Sequence, residues 1–240
     1  MQAILLTFFS LAVSAIAQPF TLNDHAIFGE PVTQWVDTSN MVARWRFNGS
    51  LVDDVSACTL YAAIGASYTN TALRCEQSNR YSLGSATAIA NALRGSNWTV
   101  SLWCSFDRLN ASNFVFGICE DTFSADLLGV YVKSDRIDVI GDSSNLFEFY
   151  PTPGFTSNTV YNIVVSRSGT SISAKVNATA APPALTTGTW TTGGTDNLSI
   201  GQHYYGSAQP FFTGWIDDLS IWARTLSSTE ITTIYSIGRQ

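Results

Sequence analysis

From about Met41 onward the chain is a succession of short segments in which apolar and polar residues alternate, separated by clusters of Gly, Asn, Ser and Asp. A period of two broken at regular intervals by turn formers predicts an antiparallel sandwich or barrel. Val42–Phe47 opens the pattern. Trp98–Phe106 and Phe114–Cys119 lie on either side of the turn-rich segment 107–113 and predict a hairpin. Gly129–Val132 and Ile137–Ile140 predict a second hairpin around Lys133-Ser-Asp-Arg136. Tyr161–Ser166 and Ser171–Val176, joined by Arg167-Ser-Gly-Thr170, predict a third. In its second strand Ile172, Ala174 and Val176 share one face, which puts Lys175 and Asn177 on the other. The same parity turns Leu198 and Ile200 inward and Asn197 outward.

The period changes to that of a helix only near the C-terminus. Ser227-Ser-Thr-Glu230 spells a capping box, in which serine and glutamate satisfy free backbone N–H groups reciprocally. Ile231, Ile234 and Tyr235 then form one apolar face, and Gly238 can end the helix. The N-terminal region has a different character. Met1–Ala17 reads as a secretory signal peptide: its apolar run is too short for a bilayer, and Ala15-Ile-Ala17 gives a small-x-small cleavage site. Gln18–Asn40 is an extension with apolar residues but no clear period. It either packs irregularly on its own domain or forms an arm that docks on a neighbouring subunit. Residues 41–240 are then one domain, a length that suits an all-β sandwich.

Composition sharpens the compartment. Only 12% of residues are charged, about half the usual share, so something else must keep the surface soluble. Five Asn-x-Ser/Thr sequons supply an answer: Asn48, Asn97, Asn110, Asn177 and Asn197, with Asn97 the weakest because Trp98 fills the middle position. A net charge of −6 argues against nucleic acid, and no segment after the leader is long and apolar enough to span a membrane. The product is expected outside the cell. Four cysteines in such a chain predict two disulfides, with three connectivities open. The hairpin reading favours Cys104–Cys119 and, about Ile64-Gly-Ala-Ser67, Cys58–Cys75. Each short loop so closed contributes about 3 kcal/mol in the chain-entropy account. With no Cys-x-x-Cys and only His25 and His203, a thiol or zinc centre is disfavoured.

Three segments together resemble a laminin-G-like jelly roll of the concanavalin A-like lectin and glucanase superfamily. Ala43-Arg-Trp-Arg-Phe-Asn-Gly-Ser-Leu-Val-Asp53-Asp54 is similar to its first strand and acidic loop. Tyr161–Asn177 resembles its central hairpin, although Ala178 stands where relatives usually carry glycine. Phe212-Thr-Gly-Trp-Ile-Asp-Asp-Leu-Ser-Ile-Trp222, followed by Leu226-Ser-x-x-Glu-Ile231, resembles its closing strand and helix. The resemblance implies a two-sheet antiparallel jelly-roll sandwich with a short C-terminal helix. It also implies a structural calcium held by Asp217 with Asp53 or Asp54. Parity with Leu219 and Ile221 turns Asp217 inward, where a carboxylate needs a partner. Backbone N–H groups, Arg44 or Arg46 would serve as well as calcium.

Trp190, His203, Tyr204 and Tyr205, with Phe211 and Phe212, offer a stacking platform for sugars or a protein-contact patch; rings of this kind equally fill sandwich cores. The superfamily's glucanases resemble one another in a Glu-x-Asp-x-x-Glu strand that sets two carboxylates on one face. This chain has no such strand, and no catalytic residue is nominated. The expected function is a secreted, N-glycosylated, non-catalytic recognition module for glycans or for matrix and cell-surface proteins. A structural subunit of an extracellular coat or fibre, a homo-oligomer or filament built through the extension, is the alternative. A glycoside hydrolase comes third.

Overall fold

The alternating segments of the sequence form two stacked antiparallel sheets. A computed structural model describes residues 37–56, 60–62, 67–69, 72–76, 81–83, 86–119, 127–141, 145–186, 197–203 and 212–239. The leader, most of the extension, Cys58, Trp190, Tyr204 and Tyr205 lie outside them. The chain runs through β1 (Met41–Trp45), β2 (Tyr61–Ala62), β3 (Ser67–Thr69), β4 (Ala72–Cys75) and β5 (Tyr81–Leu83) into helix α1 (Thr87–Arg94). It continues through β6 (Asn97–Phe106), β7 (Asn113–Cys119), β8 (Leu128–Val132), β9 (Ile137–Gly141) and β10 (Asn145–Phe149). Then come β11 (Val160–Ser168), β12 (Ser171–Val176), β13 (Thr179–Ala181), β14 (Pro183–Thr186), β15 (Asn197–Ile200), β16 (Gly214–Trp222) and α2 (Ser228–Ile237).

Among the described residues the first sheet has the order β13-β12-β11-β6-β16-β4-β3, with β1 also paired to β16. The second has the order β14-β10-β9-β8-β7-β15-β5-β2. The core lies between them. Along β6, Trp98, Val100, Leu102, Cys104 and Phe106 point into it, and Thr99, Ser101, Trp103 and Ser105 fall on the outer face. Every residue from Trp98 to Phe106 is nevertheless buried, because α2 packs on that outer face over Val164 and Trp222. No described helix is long and apolar enough to cross a membrane.

Two predicted hairpins form as expected. β8 and β9 meet at Val132 opposite Ile137, and β11 and β12 at Ser168 opposite Ser171, with Gly169 at φ 62 in the turn. The hairpin predicted around 107–113 does not form. β6 lies between β11 and β16 in the first sheet, whereas β7 lies between β8 and β15 in the second. The turn-rich segment is a crossing between sheets. Asp107 anchors it through its N–H to the Thr213 carbonyl at 2.9 Å and through an ion pair with Arg74. Asn113 then holds the far end, donating to the carbonyls of Asn110 and Val132.

The cysteine pairing built on that hairpin falls with it. Cys75 and Cys104 carry free, buried thiols on either side of β16, opposite Gly214 and Ile216. Burial pushes both thiols up. Helix α1 was not foreseen. It has only two turns, its N-cap Ala86 makes no side-chain bond, and it persists because Ile89, Ala90 and Leu93 bury one face.

Candidate functional site

The closing strand carries the residue on which the sequence reading turned. β16 pairs with β6 along its length, but the register shifts between Asp217, opposite Trp103, and Ser220, opposite Ser101. On its other edge β16 pairs with β4 at residues 214–216 and with β1 at residues 219–222. The extra residue is accommodated at Asp218, whose φ is 44. Ile216, Leu219 and Ile221 face the core, so the bulge changes parity between the first and the second. Asp217 therefore faces outward with Trp215. This corrects the inward assignment, which counted alternation across the bulge.

Outward does not mean exposed. Asp217 is only 2% accessible beneath the C-terminal end of α2. It accepts from the Asp218 N–H at 2.9 Å, and Arg239 Nη1 lies 3.7 Å away. The Arg239 guanidinium also sits 4.4 Å from the Trp215 ring centroid, and Tyr235 stacks on Trp103 at 5.9 Å and 14°. Burial, then the charge of Asp218, pushes the Asp217 carboxyl up to about 8; Arg239 acts in the opposite direction.

The other two proposed calcium ligands are committed elsewhere. Asp53 accepts from the N–H groups of Arg44 (3.2 Å), Val55 (2.7 Å) and Ser56 (3.0 Å), and from the Ser56 hydroxyl. Desolvation would raise its carboxyl, but these bonds outweigh it and hold the group below the usual range. Asp54 pairs with Arg44 at 3.3 Å and Arg46 at 2.7 Å, which takes up the cations that the sequence offered to Asp217. Among the described residues no three His, Cys, Asp or Glu side chains converge to hold a metal. The donors present do not fit the shared calcium site that the resemblance implied.

His203 does not belong to an exposed platform. It is fully buried, 5.4 Å from Phe114 in an edge-on contact, while Phe212 packs edge-on against Phe106 in the core. Of the sequons, Asn48 and Asn97 are exposed, and Asn110, Asn177 and Asn197 are half-buried. Asn177 lies beyond the strand, in a two-residue turn with Ala178 at φ 51 and 61. Its Oδ1 accepts from the Asn162 N–H at 2.9 Å.

The outer face of the second sheet carries a cluster that the sequence did not disclose. Asp138 on β9 lies directly opposite Glu148 on β10 and Tyr131 on β8. Arg136 Nε bridges the two carboxylates, at 2.9 Å from Asp138 and 3.2 Å from Glu148. Lys133 reaches the other oxygen of Asp138 at 2.6 Å, and the Tyr150 hydroxyl donates to Glu148 at 3.1 Å. The β8–β9 turn that presents the cations is fixed from outside. Phe155 N–H donates to the Ser134 carbonyl at 2.8 Å, and a Cβ on Gly154 would come within 2.5 Å of that oxygen.

Spacing along one strand cannot reveal a pair formed across two. The available signal was subtler: Asp138 stands alone between buried Ile137 and Val139, and Glu148 between Phe147 and Phe149.

A family model described as the concanavalin A-like lectin/glucanases superfamily, of laminin-G type, matches residues 78–232. A search of curated proteins returns no match. Among solved structures, the receptor-binding domain of botulinum neurotoxin C/D mosaic serotype superposes with a TM-score of 0.64 at 12% identity over 84% of this chain and 52% of that one. Trypanosoma rangeli sialidase in complex with sialic acid gives 0.63 at 16% identity, over 83% of this chain and 33% of the enzyme. Domain 4 of the arabinanase AbnA from Geobacillus stearothermophilus, in complex with arabinotriose, gives 0.56 at 15% identity, over 80% and 97%. The chain thus spans about half of the neurotoxin domain and a third of the sialidase, and likenesses at such identities establish the fold alone. The jelly-roll topology and the family match agree: the chain belongs to the concanavalin A-like lectin/glucanases superfamily.

Proposed function

We propose that the chain is a secreted, N-glycosylated, non-catalytic recognition module that binds glycans or extracellular proteins through the outer face of its second sheet. The observation that carries the reading is the Arg136 cluster. Two carboxylates, two cations and a phenol are held on rigid strands and a pinned turn, the arrangement by which a preorganised polar surface binds hydroxyl-rich or charged ligands. Arg136 stands between the cross-strand carboxylates, where hydrolysis would need a glycosidic oxygen or a water. A receptor-binding domain and an arabinotriose-bound domain among the similar folds are consistent with recognition.

A screen against glycans and matrix proteins, run on the full chain with calcium and with chelator, tests this. Ligand binding should fall at least tenfold in Arg136→Ala and several-fold in Tyr150→Phe, a change that removes only one hydroxyl. A blank screen, or hits indifferent to both variants, would sink the proposal. Endoglycosidase treatment of the secreted product should lower its mass, with the exposed Asn48 occupied.

A further inference from the structure

Two indoles and a carboxylate converge on the outer face of the first sheet, the face opposite in the molecule to the Arg136 cluster. Trp103 lies directly across from Asp217, and Trp215 precedes Asp217 by two residues on the same face. On the far side of Trp103, Asn162 is fully buried; its Nδ2 donates to Ser101 Oγ and the Leu102 carbonyl, and its Oδ1 has no hydrogen-bond partner among the described residues. Such a set has a carboxylate, an unused acceptor and two ring faces. It suits a cation attached to a planar or aromatic group.

The protein's own C-terminal segment supplies that chemistry. Tyr235 lies on Trp103, and Arg239 lies on Trp215 while pairing with Asp217. The segment is lightly held. Ile231 is the only buried residue of α2, Tyr235 is 39% accessible, and no described residue lies within 4 Å of where a Cβ on Gly238 would be. Thr232, Thr233 and Ser236 bond back to carbonyls four residues earlier, a habit that weakens helices. The end of α2 can therefore open at low cost, while its start cannot.

We infer that Trp103, Trp215 and Asp217 form a binding site for an arginine flanked by an aromatic residue in an extended peptide of another protein, and that Tyr235 and Arg239 latch this site shut. A ligand of this kind competes with the latch and gains affinity when the latch is removed. A neutral sugar would also stack on the indoles, but it offers no cation to the Asp217 carboxyl once that group ionises. The inference is independent of the Arg136 reading, since the two faces share no residue.

The probe is a fluorescently labelled Tyr-Ser-Ile-Gly-Arg amide, titrated at pH 9, where the Asp217 carboxyl is ionised, against the full chain, its Tyr235→Ala/Arg239→Ala variant, and that variant carrying Asp217→Asn as well. Binding should be at least tenfold tighter for the double variant than for the wild type. The gain should vanish with Asp217→Asn, and replacing the peptide's arginine by citrulline should cost at least tenfold. Hydrogen exchange on the unmutated chain gives a second readout that does not depend on the variants folding: saturating peptide should speed exchange at residues 235–239. Equal binding by wild type and double variant, equal binding of the citrulline peptide, or unchanged exchange would each overturn the inference.

Discussion

The two ends of α2 rest on the same sheet but are held in different ways. At its start, Ser227 and Glu230 close the capping box: Glu230 N–H donates to Ser227 Oγ at 3.2 Å, and Ser227 N–H donates to Glu230 at 2.7 Å. Arg224 joins this end to Glu230 at 2.7 Å and to the carbonyls of Asp37 and Ser39 at 2.8 and 3.0 Å. Leu226, Ile231 and Trp222 seal it with an apolar cluster. At the other end, one stacked ring, one cation–π contact and one long ion pair cover a buried carboxyl. A network of short, mutually supporting bonds holds a fixed joint; a few separable contacts hold a movable one.

The contrast is open to breakage. Trp222→Ala removes the largest side chain under the start of α2 and should cost about 3–5 kcal/mol in urea unfolding, whereas Tyr235→Ala should cost less than about 1 kcal/mol. Similar losses from both would erase the distinction.

The two carboxyls should then respond to pH with opposite sign. Asp217 is raised in the fold to about 8, so its contribution is fully present below its ordinary value and is lost as pH rises toward 8. Asp217→Asn should flatten that decline and leave the protein more stable than the wild type at pH 8. Glu230 is lowered to about 2, chiefly by its bond to Arg224, so its contribution is present above its ordinary value and is lost as pH falls toward 2. Thermal melts of Asp217→Asn and Glu230→Gln from pH 2 to 9 would show whether the two slopes oppose. Arg224→Ala comes next, at about 2 kcal/mol, since it frees Glu230 and two carbonyls at once. The smallest effect is Ala178→Gly. Ala178 holds φ 61 in the turn beneath the start of α2, and relief of that strain should add about 0.5–1 kcal/mol in the same unfolding assay.

The start of α2 was legible in the sequence because a capping box is local: four consecutive residues carry the whole interaction. Ala178 drew notice only through the resemblance, which puts glycine there; that Asn177 and Ala178 form a two-residue turn at positive φ depends on the β12–β13 register, which alternation does not reveal. Asp217 was misplaced because alternation has a phase, and the bulge at Asp218 resets it without any composition cue. The segment between Cys104 and Cys119 was misread for another reason. Turn formers mark where a chain changes direction but not whether it returns to its own sheet or crosses to the other. The Asp138–Glu148 pair was beyond reach for a third: its partners meet only after β9 and β10 are set in register.

The position of β16 also bears on biosynthesis. It pairs with β1, β4 and β6, which all precede it by more than 100 residues, yet it is the last of the described strands in chain order. Until residue 222 has left the ribosome, β6 lacks its neighbour on one side, and β1 and β4 have lost their common partner. The first sheet can close only after residue 222 has been made, through contacts of high sequence separation. A nascent chain stalled short of this strand would present unpaired apolar edges, so its engagement by chaperones should end when β16 emerges.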